Sequence, residues 1–311
     1  MSFEFVIPDI VDPTGVDGSP YPRRVDPLND ADRDKKVIQT EGEPITDFGG
    51  NSNPYIDYES IDLLLSLQHP RSQGYDEMCF IIMGQAKELL FKSLYYELYN
   101  LQLRIRADDI ANAFVIMDRS KKILKLIVNV WEVLSTIRTD GFNQFRDYLN
   151  VASGQLSFMY RHIEFILGNK NEKMCDAHSN VPHVYPAILK NFSSPSIYDD
   201  VIALLDRSGY EVAPECLDRD WTEVYKIHPS VEEAWLKVYA DPTPENDLYM
   251  LGEGLTEIAD IFSQYRHRHF VSVERILGFK PGTGGSAGVG WLKKAVDQRF
   301  FPELWTIRTK L

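Results

Sequence analysis

The sequence predicts an all-α helical bundle. Two observations carry that prediction. Apolar residues recur at three- and four-residue spacing over stretches too long for strands. No segment alternates apolar and polar residues with period two between hairpin turns, so strands are at most marginal. A chain of 311 residues, 44% of them hydrophobic, is long enough to bury a sizeable core. No repeat occurs at the usual solenoid periods.

Residues 1–50 stand apart. They hold 6 of the 17 prolines, at positions 8, 13, 20, 22, 27 and 44, and 11 acidic against 5 basic residues. Prolines at that density forbid a long helix. The segment is expected to be a proline-rich acidic arm, either a flexible tail or an arm that orders against another subunit. Residues 51–311 read as one helical domain. Its first helix is expected over Tyr58–Gln68, with Ile61, Leu64, Leu65 and Leu67 on its apolar side. Asp76–Arg104 is long and apolar nearly all round, which reads as buried. Asp108–Ile137 carries Ile116, Ile123, Ile127 and Val130 on one stripe. Ser153 is the expected N-cap of a helix reaching Leu167. Residues 169–242 read as short helices broken by prolines. A long helix over Glu245–Leu277 stops at Gly278. A glycine-rich loop, Lys280–Gly290, leads into a last helix from about Trp291.

Charge and composition exclude several functions. The formal net charge is −13 and there is no run of Lys or Arg, which argues against binding nucleic acid or anionic lipid. No apolar run reaches the roughly 18 residues that span a bilayer. The N-terminus lacks a basic segment followed by an apolar one, so it does not read as a secretory signal. Three cysteines without CxxC spacing fit a reducing cytoplasm better than a disulfide framework.

Four features carry candidate chemistry. His267 and His269 lie about 200° apart on their helix, so they cannot share one metal. His269 falls on the stripe of Phe262, Tyr265, Val273 and Ile276 and points inward; His267 does not. An inward histidine is either a satisfied core residue or a ligand. No HExxH or carboxylate cluster accompanies it, whereas a lone imidazole is what a haem needs on its proximal side. The Lys280–Gly290 loop is either a flexible connection or a lid presenting Thr283 to an anionic or zwitterionic ligand. It lacks the GxxxxGK[ST] pattern of a nucleotide loop. Arg146, among Phe142, Phe145 and Leu149, is either an internal ion pair or a clamp for a carboxylate. Gly84 interrupts an apolar helical run at a cost of roughly 1 kcal/mol relative to Ala. Helix packing there, or a cavity, would account for it.

Taken together these segments resemble the tryptophan 2,3-dioxygenase family of haem-dependent aromatic oxygenases. The resemblance runs from about Tyr55 to Leu311. It is carried by YDEMCFIIMGQAKELLFK at 75–92, FRDYLNVASG at 145–154 and YRHIEFILGNKN at 160–171. YRHRHFVSVERILGFKPGTGGSAGVGWL at 265–292 and RFFPELWTIRT at 299–309 complete it. Residues 1–50 carry no such motif. The resemblance implies an all-α bundle of that type, a haem b cofactor and a homotetramer in which the 51–68 segment is lent to a neighbouring active site. By motif position His269 resembles the proximal iron ligand, with Ser153 and Phe142 beside the haem. Arg146 resembles the clamp on the amino-acid carboxylate and Thr283 the lid residue above it. Phe80 resembles a wall for the indole. Tyr55 and Tyr58 match the lent aromatic residues, and Trp131 a structural tryptophan.

The sequence departs from the family at three points. Gly84 stands where the dioxygenases carry a distal histidine, one helical turn from Phe80 on the same face. Glu59 replaces an apolar residue beside Tyr58, and Ser153–Leu156 reads SGQL rather than SGFQ. The expected function is therefore oxidation of the indole C2–C3 bond of L-tryptophan, or a substituted tryptophan, by O2. The vacancy at Gly84 and the altered pocket favour insertion of one oxygen atom to give a 2-oxindole. The alternative is dioxygenation to N-formylkynurenine. A haem sensor without turnover, or a scaffold that has lost haem, is the reading from another class.

Overall fold

The computed structural model describes residues 27–48 and 53–311. Every element in the described residues is helical. They form two compact units, one within Asp9–His69 and one over Pro70–Leu311.

In the first unit, α1 (Asp30–Gln39) fits between Pro27 and Pro44. Asn29 caps it, its side-chain oxygen accepting from the Asp32 N–H at 3.0 Å. The described part of the arm is thus partly helical rather than wholly extended, because two prolines 17 positions apart leave room for three turns. The rest of the expected arm lies outside the described residues. α2 (Pro54–Glu59) starts on Asn53, whose side chain accepts from Tyr55 N–H at 3.0 Å. α3 (Ile61–Leu65) follows Ser60, which sits at φ 54°. The single helix expected over Tyr58–Gln68 is therefore two short ones, broken by a left-handed residue.

The larger unit contains α4 (Tyr75–Arg106), α5 (Ile110–Leu134), α6 (Thr139–Phe145), α7 (Phe158–Ile166), α8 (Lys173–Asp176) and α9 (Tyr185–Phe192). It continues with α10 (Ile197–Arg207), α11 (Pro214–Leu217), α12 (Pro229–Tyr239), α13 (Asp247–Leu277), α14 (Val289–Val296) and α15 (Pro302–Thr306). α5 packs against both α4 and α13, α7 packs on α4, and α14 on α13. Leu94, Leu98, Leu101 and Ile105 of α4 meet Leu124 and Ile127 of α5 in a core completed by Leu255, Ile258 and Phe262 of α13. Burial of such side chains stabilises the bundle by about 1.5–3 kcal/mol each.

Two expectations are corrected here. α4 is not buried all round. Its C-terminal half is core, but Tyr75 (92% exposed), Ile82 (42%), Leu89 (50%) and Tyr96 (45%) form a seven-residue row at the surface. The helix after Ser153 starts later than expected. Ser153 is extended (φ −147°, ψ 144°), a 3₁₀ turn covers Gly154–Leu156, and Ser157 is the cap, accepting from Tyr160 N–H at 3.0 Å. Ser157 wins because its hydroxyl also donates to Glu88 of α4 at 2.8 Å, which anchors the start of α7. α13 runs as expected, from the Asn246 cap to Gly278 at φ 63°. No helix of the described residues is long and apolar enough to cross a membrane.

Candidate active site and its relatives

A cavity of about 550 Å³ opens between α4, α5, α7 and α13, with the glycine-rich loop and α14 on its remaining side. That volume is in the range of small-molecule and cofactor sites. Phe80, Gly84 and Lys87 of α4, Trp131 of α5 and His269 of α13 all face it. They do so because i, i+4 and i+7 share a helix face.

His269 and its neighbour separate as the helical geometry requires. His267 is exposed, whereas His269 is half-buried and lines the cavity. The imidazole stacks on the Trp131 indole at 4.3 Å between centroids and 15° between planes. No residue hydrogen-bonds it among the described residues. Burial, reinforced by the nearby Lys87 charge, pulls its pKa down to about 3. It is therefore neutral at physiological pH, with a lone pair available to a metal. Among the described residues no group of three or more His, Cys, Asp or Glu could complete a metal site. An iron on His269 must bring its own equatorial ligands, as a porphyrin does. A neutral inward imidazole in a largely apolar cavity fits that group.

Phe80 packs edge-on against Phe142 at 6.1 Å and tilted against Phe145 at 5.3 Å. Phe80 and Phe142 line the cavity while Phe145 backs them from the core. At Gly84 a Cβ would meet nothing within 4 Å, so the glycine opens space rather than admitting a close helix. That settles which of its two expected accounts applies.

Arg146 is not in the wall of the cavity. Its Nη2 donates to the Pro281 carbonyl at 2.9 Å, and its buried Nε has no hydrogen-bond partner. Among the described residues no carboxylate pairs with it, so the internal ion pair weighed from sequence is not formed there. Thr283 Oγ1 lines the cavity and donates to the Ala152 carbonyl at 2.6 Å. These two bonds draw the loop onto the segment holding Ser153, which also lines the cavity. Glycine is needed at 284 for this approach, since a Cβ there would lie 2.8 Å from Ser153 Cβ and from Gln155 Nε2. Tyr55, Tyr58 and Glu59 belong to the other unit, on α2, where all three are exposed.

Sequence inspection missed Lys87 and the polar floor. Arg161 and Arg266 both bind the Glu164 carboxylate, Arg266 at 2.9 Å, and Arg266 also reaches the Gln298 carbonyl at 3.1 Å. Tyr160 stands over this network, its hydroxyl pushed up to about 12 by burial and by Glu164. Lys87 continues the stripe of Phe80 and Gly84, but a lysine there reads as solvent-facing.

The family model for tryptophan 2,3-dioxygenase matches residues 40–185 and 188–311. The chain belongs to the tryptophan 2,3-dioxygenase family. It is an enzyme, a haem-dependent oxygenase, and haem b is its cofactor. Curated relatives agree. The tryptophan 2,3-dioxygenase of Burkholderia pseudomallei (strain K96243) is 44% identical over 260 residues, covering 84% of this chain and 85% of the relative. That of Burkholderia mallei (strain ATCC 23344) matches to the same extent. The family match begins at residue 40, inside the segment where no resemblance was visible by eye.

Proposed function

We propose that this protein is a tryptophan 2,3-dioxygenase, joining both atoms of O2 to L-tryptophan and opening the indole C2–C3 bond to give N-formylkynurenine. The observation that carries the proposal is the 44% identity to proteins of that name over 85% of their length. The preference for one-atom insertion, drawn from Gly84 and the altered pocket around it, is set aside. A vacancy removes a hydrogen-bond partner for the substrate, but nothing in the cavity supplies a different outcome.

His269 would hold the haem iron, with Ser153 and Phe142 at the edge of the group. Haem, when bound, supplies the redox-active iron through which O2 reacts with the indole. The chain's own residues bind and orient. Phe80 and Phe142 form a wall for an apolar ring, and the open volume beside Gly84 accepts its far edge. Arg146 would supply the guanidinium that binds the substrate carboxylate in a fork. Thr283 adds a hydroxyl beside it. The loop bonds from Arg146 and Thr283 keep water out while the substrate is held, and positioning of this kind accounts for much of a catalyst's effect.

The exposed row Tyr75, Ile82, Leu89 and Tyr96 supports assembly, since a seven-residue apolar row suits a second helix laid along it. We take the assembly to be a homotetramer in which residues 51–68, with Tyr55, Tyr58 and Glu59, complete a neighbour's site. The family match through residue 311 supports treating 51–311 as one functional oxygenase domain. Three free thiols suit a cytoplasmic location.

The test is a product mass spectrum from the reduced, haem-loaded protein supplied with L-tryptophan and ¹⁸O2. N-formylkynurenine carrying two labelled atoms supports the proposal. An intact-ring product carrying one labelled atom overturns it and restores the 2-oxindole reading.

A further inference from the structure

Three groups are stacked across the cavity wall. Lys87 Nζ of α4 lies 4.8 Å from the centroid of the Trp131 ring. The same ring stacks on His269 at 4.3 Å and 15°. The ammonium and the imidazole both lie over the one indole, which links Lys87 to His269 through the Trp131 ring. Burial lowers the Lys87 pKa from its ordinary range, and the neighbouring Glu88 carboxylate acts against that shift. Lys87 makes no hydrogen bond or ion pair among the described residues. Its neighbour Glu88 is engaged by the Ser157 hydroxyl at 2.8 Å. The indole face is the electron-rich surface a cation seeks, which explains how a lysine is tolerated there.

We propose that Lys87 is a positioning residue for the iron, acting through the Trp131 ring on the His269 imidazole to favour the ferrous over the ferric state. The inference rests on the reading that His269 ligates haem. Its physics is elementary. Reduction takes one electron from an external donor and lowers the charge of the iron centre by one. A fixed positive charge nearby therefore stabilises the reduced form, and in a cavity of low dielectric it does so strongly. Ferrous iron is the state that takes up O2, so Lys87 would enlarge the pool ready for turnover.

The experiment is a spectroelectrochemical titration of the haem-loaded wild type, Lys87→Met and Lys87→Arg. Lys87→Met is expected to shift the ferric/ferrous equilibrium on the order of tenfold toward ferric, about 59 mV for a one-electron couple. Lys87→Arg keeps the charge and is expected to stay near wild type. An unchanged potential in Lys87→Met overturns the proposal. An equal shift in both variants also overturns it, because packing rather than charge would then be at work. Lys87→Gln is the second charge-removing variant should Lys87→Met not retain haem. Resonance Raman spectra of ferrous wild type and His269→Ala accompany the titration. An iron–histidine line that survives in His269→Ala means the ligand assignment has failed; a line lost there, with no Lys87 effect, means the charge inference alone has failed.

Discussion

Arg146 donates through Nη2 to the carbonyl of Pro281 at 2.9 Å, and so ties the segment after α6 to the mouth of the glycine-rich loop. The same side chain keeps a buried Nε without a hydrogen-bond partner. Arg146→Leu removes both the tie to the loop and the guanidinium proposed to bind the substrate carboxylate. The expected result is a rise in KM for L-tryptophan of tenfold or more, in line with the roughly 1.5–3 kcal/mol of a charged hydrogen bond. Faster proteolysis within 280–290 is expected beside it. Arg146→Lys is expected to rescue neither fully, because an ammonium cannot form the fork. Steady-state kinetics and limited proteolysis check this.

Gly284→Ala tests the loop from the other side. Its Cβ would press on Ser153 and Gln155 at 2.8 Å. The loop must lift, with overpacking strain of about 1–3 kcal/mol. The bond from Thr283 Oγ1 to the Ala152 carbonyl is expected to break with it. Thermal unfolding and KM are the measurements, and a KM increase larger than the change in kcat is the expected pattern.

Gly84→His is expected to fold and to keep haem. A Cβ at this position meets nothing within 4 Å, and removing a helix-interior glycine recovers up to about 1 kcal/mol. A Tm at or above wild type checks the packing. The KM for L-tryptophan is expected to change while the two-atom product is retained.

His162 is one buried histidine through which acid destabilises the fold, beside His178 and His269. It is fully buried, its Nδ1 accepts from Asn191 Nδ2 at 3.0 Å, and its Nε2 has no partner. Burial pulls its pKa down to about 4 from an ordinary value of 6.5. The unfolded chain therefore binds a proton in a range where the folded chain does not. Stability from the neutral imidazole is present above pH 6.5 and is lost as pH falls toward 4. Urea unfolding between those limits is expected to show this fall, and His162→Gln to make it shallower by that one histidine's share.

Much of this was legible in the sequence. α13 could be placed because a 3.6-residue stripe ends at a glycine, and the same stripe separates His269 from His267. The cap at Ser157 was not legible, because Ser153 and Ser157 both precede the apolar run. Only the long-range bond to Glu88 decides between them. Lys87 was hidden for a different reason. A lysine on a helix reads as solvent-facing, and only tertiary packing places Trp131 beneath it. Arg146 could be recognised as unusual, but its bond to Pro281 crosses 135 residues. The surface row of α4 was hidden within an all-round apolar pattern, which cannot distinguish a core from an assembly face.

The central claim is that His269 carries haem iron in the cavity between α4, α5 and α13. Stoichiometric haem addition to wild type and His269→Ala, followed by optical and resonance Raman spectra of the ferrous forms, tests it most directly. The account predicts one haem per chain with an iron–histidine line in wild type, and loss of that line in His269→Ala. Haem bound by His269→Ala with an unchanged axial spectrum would contradict it.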